Sequence, residues 1–208
     1  MSALLHVSAS PRGAASESLA LAATFLEAFT ETHPDVPVDT LDLWDGTLPS
    51  FGPAATAGKM AIFAGGHPEG ESAEAWRRVE ATFRRFDAAD RYLFSVPMWN
   101  AGVPYVLKQF IDVVSQPGLL FGFDPVAGYR GLLSGKKAAV VYTSAVYGPG
   151  RGPAFGSDFQ STFFTDWLHW AGIEDVTEIH LRPDLVADDV DVRRALAAAQ
   201  ARDAGKTF

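Results

Sequence analysis

Met98, Trp99, Asn100 and Ala101 stand between Pro97 and Gly102. Proline fixes its own φ and offers no N–H, and glycine permits a sharp bend. The four residues between them are expected to present backbone N–H groups beside a helix start, where amide donors lack intrahelical partners. Such donors match an anion or the electron-rich edge of a heteroaromatic ring. Trp99 adds a flat apolar face, and Asn100 adds both a donor and an acceptor. On these residues alone, the stretch reads equally well as a ligand site or as a plain strand-to-helix turn.

A second stretch has a different chemistry. Ala9-Ser10-Pro11-Arg12-Gly13-Ala14-Ala15-Ser16 is a loop of small and polar residues, and Ser16 or Ser18 can cap the helix that follows. Hydroxyls and free backbone N–H groups at a helix N-terminus attract an anion, phosphate above all. The loop lacks the glycine spacing of a dinucleotide fold and the Gly-Lys-Ser/Thr ending of an NTPase loop. Its length and hydroxyls match one terminal monophosphate. The plain alternative is a loop whose serines only cap the helix. A third stretch, Ser144-Ala145-Val146-Tyr147, ends a buried-strand run and carries two more hydroxyls.

The surrounding elements place these stretches. Buried or alternating runs predict strands over 3–8, 36–44, 92–96, 138–143 and 175–181. Apolar residues at helical spacing predict helices through Leu19 to Phe29, around 57–63, through Trp76 to Phe86, through Val103 to Val114, over 155–172 and over 188–202. Strands alternating with helices predict an α/β fold. The expectation is one flavodoxin-like domain over residues 1–208, a doubly wound five-stranded parallel sheet of order 2-1-3-4-5 with helices on both faces. In such a sheet, ligands bind at the carboxyl edge of the strands. All three stretches would meet there. A monophosphate joined to a flat heterocycle describes FMN.

Composition narrows the classes. A net charge of −8 opposes a partner held through nucleic-acid phosphates. With no cysteine, disulfides, thiolate catalysis and Cys-ligated metals are excluded. His6, His33, His67, His169 and His180 show no metal-ligand spacing, so no metal is expected. No apolar run reaches the ~20 residues of a membrane-spanning helix. The start, Met1 to His6, is too short in its apolar part for a signal peptide, so a cytoplasmic protein is expected. The segment from Gln116 to Asp124 is a loop with many apolar groups, and something should cover it.

The chain resembles a bacterial family, the FMN-dependent NADH-quinone oxidoreductases, also called FMN-dependent azoreductases. The resemblance runs nearly the whole length. It is carried by Ser8-Ala9-Ser10-Pro11-Arg12 with Ser16-Glu17-Ser18, by Pro97-Met98-Trp99-Asn100-Ala101-Gly102-Val103-Pro104, and by Thr143-Ser144. The segments around Phe121-Gly122-Phe123 and Gly131-Leu132-Leu133 also match. It implies that Ser10, Ser16, Glu17 and Ser18 hold the FMN phosphate, Glu17 through its backbone N–H. It implies that Met98, Trp99, Asn100 and Ala101 lie along the ring and that Ser144, Ala145, Val146 and Tyr147 close its far side.

The same resemblance implies a two-step cycle. NADH or NADPH delivers hydride to flavin N5 and leaves, and a quinone or azo compound then takes the electrons in the same space. No protein acid or base is assigned, because the cofactor carries the chemistry. It further implies a homodimer with the pocket at the subunit boundary, and Phe121, Phe123 and Phe163 are the candidate pocket walls. Three departures stand out. Trp99 replaces a tyrosine, Ala101 replaces a large aromatic and opens space, and Ala145-Val146-Tyr147 replaces Arg-Gly-Gly. A flavodoxin-type electron carrier without its own substrate, which the acidic charge would suit, remains the alternative. A degenerate site serving only as an interaction domain is a third reading.

Overall fold

The computed structural model describes residues 3–208. Met1 and Ser2, on which the N-terminal expectation partly rests, lie outside the described residues. The chain runs β1 (Leu4–Ser8), α1 (Glu17–Thr32), β2 (Val38–Asp42), α2 (Pro53–Phe63), α3 (Gly70–Asp87) and β3 (Arg91–Pro97). It continues through α4 (Tyr105–Val114), β4 (Phe121–Asp124), β5 (Gly128–Gly131) and β6 (Lys137–Thr143). It ends with α5 (Ser161–Ala171), β7 (Asp175–Leu181) and α6 (Val190–Thr207). Five parallel strands form one sheet in the order β2-β1-β3-β6-β7, the arrangement expected from the sequence.

The two-residue period of the strands divides the core. Leu5, Val7, Tyr92, Phe94, Val96, Val140 and Tyr142 face one side, packed against Phe83 and Phe86 of α3, Phe110 of α4 and Phe164 of α5. Leu4, Leu93, Val141, Ile179 and Leu181 face the other, against Phe25 and Phe29 of α1 and Ala197 and Ala201 of α6. Each fully buried phenylalanine contributes roughly 1.5–3 kcal/mol. Helices α1 and α6 approach closely because Gly205 has no side chain: a Cβ there would lie 2.3 Å from the Phe25 carbonyl oxygen.

Four expectations need correction. The segment 116–124 is not all loop, since β4 pairs antiparallel with β5 in a small hairpin: Phe121 lies opposite Gly131 and Phe123 opposite Tyr129. Helix α5 starts at Ser161 rather than 155, with Gln160 as its cap residue and the Asp158 side chain holding the entry. Its carboxylate accepts from the backbone N–H of Gln160 at 3.1 Å and of Ser161 at 2.9 Å. The second strand stops at Asp42, which leaves Trp44 beyond its carboxyl end. The terminal helix runs on to Thr207, where Phe208 packs edge-on against Phe25 at 5.1 Å.

Candidate functional site at the carboxyl edge of the sheet

The loop after β1 is a small polar cradle. Ser10, Ser16 and Ser18 are all buried. Ser16 Oγ lies 3.1 Å from Ser18 Oγ and accepts from the Leu19 backbone N–H at 3.3 Å, which caps α1. Ser10 Oγ is buried and has no partner among the described residues. Few native polar atoms are left so, and a free hydroxyl in the loop that leads into a helix N-terminus fits an anionic group. The backbone N–H groups of Ser10, Glu17 and Ser18 also donate to no carbonyl among the described residues. The Glu17 carboxylate pairs with Arg194 at 2.7 Å, which leaves its backbone N–H as the donor still free. These groups match a phosphate.

The bend after β3 is tighter than expected. Trp99 N–H donates to the Gly102 carbonyl at 2.9 Å, and Gly102 N–H donates back at 2.9 Å. Asn100 and Ala101 between them take φ of 48° and 68°. Positive φ at both central residues marks a reversed turn of the hairpin kind. The left-handed residues are therefore Asn100 and Ala101, and Gly102 does not supply the bend. The expectation of four free amides also needs correction. Met98 N–H is used by the Thr143 carbonyl at 2.7 Å and Trp99 N–H by Gly102, so only Asn100 and Ala101 retain free N–H groups. An alanine held at positive φ costs about 1–2 kcal/mol. Such strain is characteristic of ligand clamps.

The third loop meets this bend. Ser144 Oγ donates to the Tyr147 carbonyl at 2.7 Å and closes the turn. A cleft of about 200 Å³ is bordered by Met98, Asn100, Ala101, Ser144, Ala145, Val146 and Tyr147, together with Phe155 and Gly156. Phe155 and Gly156 were expected inside a helix. Because α5 starts later, they lie in the preceding loop and reach the cleft. None of the three candidate wall phenylalanines borders it within one chain. Phe121 is buried against Trp170 at 4.8 Å, whereas Phe123 and Phe163 are exposed.

Polar residues without a local sequence signal support the cleft from behind. Arg182, just after β7, ion-pairs with Asp158 and donates to Gln160 Oε1 at 2.7 Å. Gln160 Nε2 in turn donates to the Val96 carbonyl at 2.7 Å. The guanidinium also lies 5.5 Å from the Tyr147 ring. Burial pushes the Asp158 carboxyl up, but bonds from Ser161 and Arg182 outweigh it and hold the group below the usual range. Asp184 N–H donates to the Ser144 carbonyl at 3.0 Å. The Asp184 carboxyl has one unpartnered oxygen, and burial, then the neighbouring Glu17 charge, push it above the usual range. Burial pushes His6, which lies 2.7 Å from Ser95 Oγ, down to about 4, so it stays a neutral core residue. Among the described residues, no cluster of acidic or histidine side chains could hold a metal. None of their helices is long and apolar enough to cross a membrane.

The chain is similar to known proteins over nearly its whole length. Residues 2–204 match the family described as having the flavodoxin-like fold. The chain is 46% identical over 203 residues to an FMN-dependent NADH:quinone oxidoreductase of Ruegeria pomeroyi, covering 97% of this chain and 100% of that one. It is 38% identical over 211 residues to FMN-dependent NADH:quinone oxidoreductase 9 of Burkholderia lata, with both chains covered fully. It superposes on the crystal structure of an azoreductase from Bacillus anthracis with a TM-score of 0.91 and 26% identity, again over the whole of both chains. The chain therefore belongs to the flavodoxin-like family of FMN-dependent NADH:quinone oxidoreductases and azoreductases.

Proposed function

We propose that this chain is an FMN-dependent oxidoreductase that takes electrons from NADH or NADPH and passes them to quinones and to aromatic azo compounds. The observation that carries the reading is the unpartnered, buried Ser10 hydroxyl, set among free amides on the same sheet edge as the Asn100–Ala101 turn. Ser10, Ser16, Ser18 and the Glu17 N–H would hold the phosphate. Met98 to Ala101 and Ser144 to Tyr147 would flank the ring. When bound, FMN supplies a centre that accepts hydride from the nicotinamide and gives electrons to the acceptor.

The protein's own part is position and electrostatics. The free N–H groups of Asn100 and Ala101 are fixed dipoles aimed where negative charge would gather on the ring edge. The cofactor carries the chemistry, so no general acid or base is assigned among the residues bordering the cleft. The proposal extends to a cytoplasmic homodimer. Phe123, Val126, Tyr129, Phe159 and Phe163 are exposed near the cleft loops and the hairpin, an apolar surface that a second copy would cover and that would complete the substrate pocket.

The test is direct. Protein mixed with FMN and freed of excess by gel filtration is expected to be yellow, with about one flavin per chain, and to consume NADH steadily when a benzoquinone is present. Tight flavin binding without turnover would convert the reading to an electron carrier. Colourless protein would end it.

A further inference from the structure

The sequence points to three strand-end loops at the site, and the structure adds a fourth. Trp44 follows β2, two residues past its last strand residue, and is half-buried. Its indole N–H donates to the Ala9 carbonyl at 3.0 Å. Its ring packs on Trp99 at 5.6 Å between centroids and edge-on to Tyr105 at 5.2 Å. One side chain thus touches both the serine loop and the turn at Asn100.

The bond to Ala9 has a geometric consequence. The Ala9–Ser10 peptide is trans, since the cis bond among the described residues is at Arg182–Pro183. In a trans peptide, the carbonyl and the following N–H point in opposite directions. Ala9 N–H is already bound to the Ser95 carbonyl at 3.1 Å, which fixes the strand side of the residue. With the Ala9 carbonyl held by Trp44, the rotation of the peptide plane is fixed as well. The Ser10 N–H then faces away from Trp44 and has no carbonyl partner.

We propose that Trp44 is a positioning residue of the cofactor site. Its N–H sets the peptide plane that aims the Ser10 amide at the phosphate, and its ring props the Trp99 turn beside the flavin ring. The inference rests on the flavin reading above and adds to it a division of labour. The N–H acts on the anionic end of the ligand alone, and the ring acts on the aromatic end.

That division is testable with two ligands that differ by a phosphate. Dissociation constants for FMN and riboflavin are measured by flavin fluorescence for the wild type, Trp44→Phe and Trp44→Leu, with melting temperatures beside them. Trp44→Phe keeps a ring and loses the N–H. It is expected to weaken FMN about fivefold, the worth of one net hydrogen bond, and to leave riboflavin unchanged. Trp44→Leu is expected to weaken both. An unchanged FMN affinity in Trp44→Phe overturns the inference, and so does a parallel loss of FMN and riboflavin, which would mark general support of the fold. A measurement on the unaltered protein stands beside the variants. The Ser10 amide resonance is expected to move downfield with FMN and not with riboflavin, and an amide that ignores FMN overturns the inference. Wild-type protein that binds neither flavin overturns the functional reading instead.

Discussion

Arg182 and Gln160 are 22 residues apart in sequence and joined by a 2.7 Å hydrogen bond from guanidinium to side-chain carbonyl. With the Asp158 ion pair and the bond from Gln160 to Val96, this contact ties the end of β7, the cap of α5 and the end of β3 into one unit behind the cleft. Arg182→Met removes the cation paired with Asp158 and the donor to the Gln160 side-chain carbonyl. A loss of about 3 kcal/mol in unfolding free energy is expected. Asp158 also sets a pH dependence. Its folded carboxyl lies below the ordinary value of 3.8, so its stabilisation is complete above that value. The stabilisation drains away as pH falls through the lower folded value. Urea titrations between pH 2 and 6 should show this slope in the wild type and a shallower one in Asp158→Asn.

Ala101 at φ 68° carries strain that glycine would not. Ala101→Gly relieves about 1–2 kcal/mol in the folded state. It gives back about 0.4–1 kcal/mol through the freer unfolded chain. The net expectation is a gain of up to about 1.5 kcal/mol, read from denaturant midpoints. Ala101→Val, which adds branching at the same φ, should lose stability, and a gain there would refute the strain argument.

Ser10→Ala removes a hydroxyl that no protein group uses. The ligand-free protein should melt no lower than the wild type. FMN should bind about tenfold or more weakly, the cost of losing a hydrogen bond to a charged group. Riboflavin binding should hardly move. Calorimetric melting with fluorescence titration separates these outcomes, and a large drop in the melting temperature of the ligand-free variant would show that the hydroxyl serves the fold.

Asp184 gives the opposite pH sign to Asp158. Burial, then Glu17, raise its folded pKa, so its ionisation works against the fold once pH climbs above the ordinary 3.8. Asp184→Asn cannot ionise. It should be more stable than the wild type at pH 7, and the advantage should vanish as pH falls below the ordinary 3.8. Thermal melts at the two pH values check both halves.

Residue order alone determined the layers and the edge at which the site forms. Buried runs such as 92–96 and 138–143, and apolar spacing such as Trp76, Val79, Phe83 and Phe86, record burial period directly, and period fixes strand or helix. With the alternation of elements, that was enough for the β2-β1-β3-β6-β7 order and for placing Ser10, Asn100 and Ser144 on one edge. Tertiary structure alone decided which groups there are free. Whether Met98 or Asn100 keeps an open amide depends on the Thr143 carbonyl, 45 residues on in the chain. The support from Arg182 and Trp44 depends on hydrogen bonds across 22 to 35 residues. Burial leaves a repeating trace along the chain. A hydrogen bond between distant residues leaves none, because its partner is set by where the sheet brings two strand ends together.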